Sequence, residues 1–177
     1  MNIQKQFRLI INSMHTAYLS IGSNIGEKRK NLDDAIALLD KDNKIDVVEV
    51  SSFYKTQPQN YTDQEWFVNA ALKIKTRLEP EKLLLTIKSM EKELDKTGKS
   101  FRFGPRIIDL DIIYYDDLIL KTDLLEIPHP RMHERCFVLI PICDIGAHEI
   151  HPILNARSDE LLKKIEKQET QKVIYLN

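Results

Sequence analysis

The side chains best suited to chemistry in this sequence are two aspartates, Asp109 and Asp111, in the segment GPRIIDLD (residues 104–111). Side chains two residues apart on a β-strand point to the same face, so the two carboxylates are expected to lie side by side. Neighbouring carboxylates repel each other unless a cation lies between them or water surrounds them. Mg²⁺ commonly binds one or two carboxylates together with substrate phosphates. The pair is therefore a candidate magnesium site, and a solvated strand face is the alternative.

A basic segment immediately precedes these aspartates. Residues 96–106 contain Lys96, Lys99, Arg102 and Arg106 and no acidic residue, which gives the segment a net charge of +4. Arginine binds phosphate oxygens through two parallel hydrogen bonds, and lysine acts as a point charge. The segment is therefore a candidate polyphosphate-binding loop that closes over its ligand, and a solvated basic turn is the alternative.

The turn GSNIG (residues 22–26) has glycines near the end of a predicted strand, as many phosphate-binding loops do. The Walker A pattern requires lysine directly after its last glycine, whereas Glu27 follows Gly26 here. We interpret the segment as a turn from a strand to a helix.

Two further groups of side chains could bind a ligand. Phe67 and Asn69 share one face of a predicted half-buried strand, where an aromatic ring and an amide could bind a flat heterocycle. Ordinary core packing is the alternative for Phe67. His129 lies between two prolines and could contact a phosphate, or it could be a surface histidine.

Hydrophobic periodicity predicts the elements that position these residues. Strands are predicted over residues 17–21, 45–54, 67–75, 107–115 and 173–176. Asp116-Asp117 is predicted to form a hairpin turn into residues 118–120. Helices are predicted over residues 27–39, 80–94, 133–140 and 159–167. Because strands and helices do not alternate strictly, the expected class is α+β.

The composition indicates one globular domain with no charge bias toward a particular partner. The chain has 177 residues, a net charge of −1, 42% hydrophobic and 30% charged residues. This excludes a disordered or fibrous chain and gives no global field for nucleic acid. Two cysteines and no long apolar run predict a cytoplasmic protein without a membrane span. We expect residues 1–15 to be a flexible extension and residues 16–177 to be the domain.

Several motifs together resemble the hydroxymethyldihydropterin pyrophosphokinase family of folate biosynthesis, over residues 17–152. The segment FGPRIIDLD (residues 103–111) carries the strongest similarity. The other similar segments are AYLSIGSN (17–24), SSFYKT (51–56), FVNAA (67–71) and IPH (127–129), followed by Arg135 and Phe137. The resemblance implies a ferredoxin-like antiparallel or mixed sheet with helices packed on it, in a single domain.

The resemblance also implies a reaction. ATP gives its pyrophosphoryl group to the hydroxymethyl oxygen of 6-hydroxymethyl-7,8-dihydropterin and leaves as AMP, with two Mg²⁺ ions held by Asp109 and Asp111. The catalytic residues implied are Asp109, Asp111, Arg106 and Lys99. The ATP-binding residues implied are Glu91, Arg106, Ile112, His129 and Arg135. The pterin-binding residues implied are Thr56, Phe67, Asn69 and Phe137. No nucleic acid or membrane partner is expected, and the protein is expected to be a monomer or a weak homodimer.

The sequence departs from the family pattern in ways that leave two alternatives open. Residues 96–98 read Lys-Thr-Gly where the family usually has Arg-x-Arg, and Lys88 stands where glutamine is usual. The first alternative is a metal-dependent nucleotidyltransferase, whose Gly-Ser and Asp-x-Asp pairs lie close in sequence but are more than eighty residues apart here. The second is an inactive module that binds a pterin or a nucleotide.

Overall fold

A six-stranded antiparallel sheet forms the centre of the structure, a computed structural model that describes residues 13–59, 61–95, 104–167 and 171–176. Its strands are β1 (His15–Ser23), β2 (Ile45–Val50), β3 (Phe53–Thr56), β4 (Phe67–Thr76), β5 (Asp109–Tyr115) and β10 (Val173–Leu176). Two small hairpins lie outside this sheet: β6 (Leu120–Lys121) with β7 (Glu126–Ile127), and β8 (Ile150–His151) with β9 (Ala156–Arg157). The strand order is β10-β3-β4-β1-β5, and β2 pairs with the other end of β4.

Helices cover both faces of the sheet, which gives the molecule two apolar cores. The helices are α1 (Lys28–Asp40), α2 (Pro80–Leu94), α3 (Cys136–Gly146) and α4 (Ser158–Glu166), and a 3₁₀ turn covers Met132–Glu134. Leu19 and Ile21 of β1 belong to the core that includes buried residues of α1 and α2. Tyr18, on the other face, belongs to the core that includes α3 and α4. The expected α+β class and single domain are confirmed, and the topology is compatible with a ferredoxin-like arrangement.

Two element boundaries differ markedly from the sequence prediction. The single strand expected over residues 45–54 is interrupted at Ser51 and Ser52. Ser51 instead exchanges hydrogen bonds with the Ala71 backbone, and the Ser52 N–H donates to Asp144. The helix expected over residues 133–140 begins only at Cys136, after the 3₁₀ turn, and continues to Gly146.

The hairpin predicted at Asp116-Asp117 is also wrong. Residues 120–121 pair with β7 and not with β5. Asp116 turns the chain with a positive φ of 43°, and its carboxylate accepts hydrogen bonds from the Thr16 N–H and the His15 ring. The turn therefore closes against β1.

The ends of the chain add little to these expectations. The extension expected at residues 1–15 lies mostly outside the described residues, and its flexibility stays a prediction; β1 already begins at His15. Within the described part of the chain, no helix has the length and apolar character to cross a bilayer.

Candidate active site

A cavity of about 330 Å³ lies over one end of the central strands. Its floor is a row of residues paired across three strands, in which Gly22 of β1 is the register partner of both Asn69 and Asp109. Ser20 is likewise the partner of Asp111. Glycine and serine are small, so the middle strand leaves room between the amide on one side and the carboxylates on the other.

Position 22 must be glycine because the Asn69 side chain lies directly against its backbone. A Cβ atom at position 22 would lie far inside van der Waals contact with the Asn69 amide oxygen. Asn69 is itself held in place, since its side-chain amide donates to the Thr56 hydroxyl at 2.6 Å. Both polar side chains are buried, with 4% and 1% of their surface exposed.

The two predicted metal ligands line this cavity, and each lies beside a basic side chain. An Arg106 guanidinium nitrogen donates to an Asp109 oxygen at 2.8 Å, and the Lys88 ammonium lies 3.5 Å from an Asp111 oxygen. Among the described residues, no three His, Cys, Asp or Glu side chains come together as a metal cluster. Two partly exposed carboxylates without a third ligand fit Mg²⁺, which completes its shell with water and substrate phosphates.

Lys88 and Glu91 connect α2 to the strand that carries the aspartates. The Lys88 ammonium donates to the Leu110 carbonyl at 2.6 Å and to Glu91 at 2.7 Å. The same Glu91 oxygen accepts the Leu110 N–H at 2.6 Å. Burial lowers the pKa of Lys88, but Asp111, Glu91 and Asp109 outweigh it, so the net shift is upward and the ammonium stays charged.

Three of the residues expected at the site lie elsewhere or cannot be placed. Glu91 is buried between α2 and β5, with 5% of its surface exposed, and holds the strand in position. The Ile112 side chain points to the opposite face from Asp111 and packs in the core, so only its backbone could contact ATP. Lys99 lies outside the described residues.

A basic wall, formed by His129, Arg131 and Arg135, lines the same cavity as the aspartates. Burial lowers the pKa of His129, as do Arg135 and Arg131, although Asp111 acts in the opposite direction. Burial and the charge of Arg131 likewise lower the pKa of Arg135. The positive charges of the two partly buried arginines favour an anionic ligand.

The tautomer of His129 follows from its hydrogen bond. The Arg131 backbone N–H donates to Nδ1 of the ring at 3.2 Å, so Nδ1 is the acceptor. A neutral imidazole then carries its proton on Nε2. The ring is therefore prepared to donate a hydrogen bond from Nε2 to an oxygen in the cavity.

Another part of the cavity is suited to a flat ring. Thr56, Phe67, Asn69 and Phe137, all expected at the pterin site, line it. Phe137 follows the first residue of α3, and the Arg135 guanidinium lies 5.4 Å from the centre of its ring. Two aromatic rings and one buried amide can hold a heterocycle by its faces and read its edge.

The turn at residues 22–26 has a role that the sequence did not indicate. Asn24 is 2% exposed. Its side-chain oxygen accepts the Arg106 backbone N–H at 2.8 Å, and its backbone N–H donates to the Arg106 carbonyl. Its amide nitrogen also donates to Gln64 and to the Glu65 carbonyl. An asparagine side chain can accept through its oxygen and donate through its nitrogen. Both sets of partners are distant in sequence here, so no local pattern indicates this role.

The chain is similar to known proteins over most of its length. The family model for 7,8-dihydro-6-hydroxymethylpterin-pyrophosphokinase (HPPK) matches residues 18–147. The chain is 40% identical over 154 residues to the 2-amino-4-hydroxy-6-hydroxymethyldihydropteridine pyrophosphokinase of Bacillus subtilis, covering 87% of this chain and 92% of that protein.

Other relatives are considerably longer than this chain. It is 45% identical over 144 residues to the Folic acid synthesis protein FOL1 of Dictyostelium discoideum, covering 81% of this chain and 22% of that protein. It covers 21% of the Folic acid synthesis protein fol1 of Schizosaccharomyces pombe. The chain thus spans about a fifth of the length of these two relatives.

Solved structures share the fold. The crystal structure of wild-type Plasmodium falciparum HPPK-DHPS with pteroate superposes with a TM-score of 0.72 at 15% sequence identity, covering 88% of this chain and 45% of that chain. At this identity the likeness concerns the fold alone. The family model, however, matches most of the chain, and the Bacillus subtilis relative matches it over most of both lengths. The chain therefore belongs to the 7,8-dihydro-6-hydroxymethylpterin-pyrophosphokinase family.

Proposed function

We propose that this protein transfers the pyrophosphoryl group of ATP to the hydroxymethyl oxygen of 6-hydroxymethyl-7,8-dihydropterin, forming the pterin diphosphate and AMP in folate biosynthesis. The observation that carries the proposal is the division of one cavity into two sides. Asp109 and Asp111 lie on β5, on one side of Gly22, and Asn69 lies on β4, on the other. The basic wall and the two phenylalanines line the same cavity. A polyphosphate and a flat heterocycle would meet between them.

The reaction requires one bond to form and one to break. The pterin hydroxymethyl oxygen attacks the β-phosphorus of ATP and loses its proton, while the bond from that phosphorus to the oxygen of the α-phosphate breaks. Transfers of this kind depend on positioning and charge neutralisation more than on covalent catalysis by the protein. When bound, two Mg²⁺ ions held by Asp109 and Asp111 would neutralise the phosphate oxygens and orient them.

The basic side chains would hold the triphosphate against these carboxylates. Arg106 and Arg135 can each bind a phosphate through two hydrogen bonds, and His129 can donate from Nε2. The Arg106 backbone is held by two hydrogen bonds to Asn24, which restricts the position of the guanidinium in the cavity. Lys99 is expected to join them from the basic segment.

The pterin would lie between Phe67 and Phe137, with its polar edge toward Asn69. The Asn69 amide nitrogen donates to Thr56, which leaves the amide oxygen directed at the space beside Gly22. That oxygen can accept a hydrogen bond from a ring N–H or an amino group. Because Asn69 is buried, a ligand without a donor at this position would leave the amide oxygen unbonded and bind less tightly. The site would therefore select ligands that donate a hydrogen bond there.

A product analysis tests this proposal. The protein is incubated with ATP, Mg²⁺ and the reduced hydroxymethylpterin, and nucleotide products are separated by chromatography. We expect AMP and the pterin diphosphate from the wild type. Asp109→Asn and Asp111→Asn should abolish AMP formation, whereas Asp123→Asn, at an exposed loop position, should not. Full activity in both active-site variants would refute the metal assignment.

The same experiment separates the two alternatives. Release of pyrophosphate would indicate nucleotidyl transfer, and ligand binding without any product would indicate an inactive module. Nucleotidyl transfer is disfavoured by Ser23, which is fully buried, its hydroxyl accepting a hydrogen bond from the Asn31 amide. The inactive module depends on residues 96–98, which lie outside the described part of the chain.

A further inference from the structure

The C-terminal segment of the chain reaches the cavity. Gln171 lines the cavity, and only Lys172 separates it from the start of β10. β10 pairs antiparallel with β3, with Val173 opposite Thr56. The segment therefore enters the site on the side expected to bind the pterin.

The Gln171 side chain joins two other parts of the chain. Its Oε1 accepts the Phe137 backbone N–H at 3.1 Å, and its Nε2 donates to the Gln57 carbonyl at 2.8 Å. The Gln57 N–H in turn donates to the Lys172 carbonyl at 3.0 Å. Because a backbone N–H only donates and a carbonyl only accepts, the orientation of the Gln171 amide is determined by its partners.

The bond to Phe137 satisfies the start of a helix. Phe137 is the second residue of α3, and N–H groups in the first turn of a helix have no acceptor within the helix. Arg135, the residue that precedes α3, makes no capping hydrogen bond with its side chain. Gln171 therefore acts as a cap supplied from a distant part of the chain, and it holds the backbone that carries the Phe137 ring.

The bond to Gln57 holds the opposite wall. Gln57 follows Thr56, whose hydroxyl accepts the hydrogen bond from Asn69. The backbone of Gln57 is bonded to the C-terminal segment through both its N–H and its carbonyl. One glutamine side chain thus connects the segment after β3 with the first turn of α3, across the part of the cavity between them.

We propose that Gln171 is a positioning residue for the pterin subsite, which sets the distance between the Phe137 wall and the segment at Gln57. The inference rests on the proposed function, because it assigns the pterin to this side. Gln171 acts through the backbone of these two residues and is not a catalytic group.

The effect should be confined to the pterin. In the sheet order, β10 is at one edge and β5, with Asp109 and Asp111, is at the other. The backbone of Arg135 has its own support, since its N–H donates to the Met132 carbonyl and its carbonyl accepts two N–H groups of α3. Loss of the Gln171 bonds therefore leaves the nucleotide side in place.

Steady-state kinetics of three variants test the inference. Gln171→Ala removes both hydrogen bonds. Gln171→Glu keeps an acceptor for the Phe137 N–H, but it replaces the N–H donor to the Gln57 carbonyl with a carboxylate oxygen, which repels that carbonyl. In both variants we expect the KM for the pterin to rise about fivefold or more, as for the loss of one hydrogen bond, with the KM for ATP and kcat close to wild type. Lys172→Ala is the matched control, because only the backbone of that residue makes the bond.

Hydrogen exchange supplies a readout that does not depend on activity. In Gln171→Ala, amides of residues 55–59 and 136–139 should exchange faster, while those of β5 should not change. An unchanged KM for the pterin, or an equal rise in both KM values, would overturn the inference. A wild type that forms no AMP would instead overturn the proposed function, and the exchange data would still decide whether Gln171 holds these two segments.

Discussion

At the scale of single residues, the absence of a side chain at Gly22 is as important as the presence of one at Asn69. A methyl group at position 22 would overlap the Asn69 amide oxygen. Because Asn69 is buried and bonded to Thr56, it can move only by breaking that bond. We expect Gly22→Ala to raise the KM for the pterin about tenfold, the equivalent of ~1.4 kcal/mol, as measured by initial rates at saturating ATP.

A double-mutant cycle tests this explanation. If the overlap with Asn69 is the cause, Gly22→Ala should have little further effect on the KM for the pterin in an Asn69→Ala background. A full, additive effect in that background would mean that the added methyl group disturbs another part of the site.

Lys88 presents a second prediction, because it places a positive charge among three carboxylates before any metal binds. We expect Lys88→Met to lower the free energy of unfolding by about 1–3 kcal/mol without divalent cations, since Glu91 and the Leu110 carbonyl each lose the hydrogen bond from the ammonium. Lys88→Gln, which keeps a donor but not the charge, should lose less. Urea denaturation measures both, and a Lys88→Met variant as stable as wild type would contradict the prediction.

The distance in sequence between partners determines which site residues could be predicted. Asp109 and Asp111 could be identified because the alternation of a strand depends only on local spacing. Asn24 and Gln171 could not, since Asn24 bonds Arg106 across 82 positions and Gln171 bonds Gln57 across 114. Side chains that connect distant segments leave no periodic pattern.

At the scale of elements, the packing of α2 on β5 determines where the aspartates lie. Glu91 accepts the N–H of Leu110, the residue between Asp109 and Asp111. We expect Glu91→Ala to lower the free energy of unfolding by about 1–3 kcal/mol, because the buried Leu110 N–H is left without its acceptor. Denaturation by urea measures the change.

The kinetics of a second variant distinguish positioning from ligand binding at Glu91. Glu91→Gln keeps an acceptor for the Leu110 N–H, so the KM for ATP should stay near the wild-type value. A large rise in that KM, with stability preserved, would mean that the Glu91 carboxylate contacts the nucleotide directly.

Element types could be predicted more reliably than their limits. The segment Pro80–Leu94 and the strand Val173–Leu176 agree with the sequence prediction, because apolar periodicity and a proline at the first helical position are local signals. The break between β2 and β3 depends on Ser51 bonding Ala71. That contact is non-local and could not be predicted from the segment itself.

At the scale of the whole molecule, the net charge of −1 is an average over opposed regions. The fold brings the basic wall of His129, Arg131 and Arg135 into the same cavity as Asp109 and Asp111. The family expected from the motifs is confirmed. The cytoplasmic location and the oligomeric state stay predictions.

Buried histidines make the stability of the whole molecule depend on pH. Burial, with His133 adding to it, lowers the pKa of His151, which is 4% exposed and accepts the Leu154 N–H through Nδ1. Burial also lowers the pKa of His129. In the unfolded chain both histidines bind a proton near their ordinary pKa of about 6.5. As the pH falls through that value, the unfolded state gains protons that the folded state does not, so stability decreases.

We therefore expect the urea midpoint to fall when the pH is lowered from about 7.5 to about 5.5, with the larger change below the ordinary histidine pKa. His151→Gln keeps a polar side chain but cannot titrate in this range, so its midpoint should fall less than that of the wild type. Both proteins are measured in the same buffers at constant ionic strength. A wild-type midpoint that stays constant or rises on acidification would mean that the folded state binds at least as many protons as the unfolded chain in this range, which contradicts the prediction.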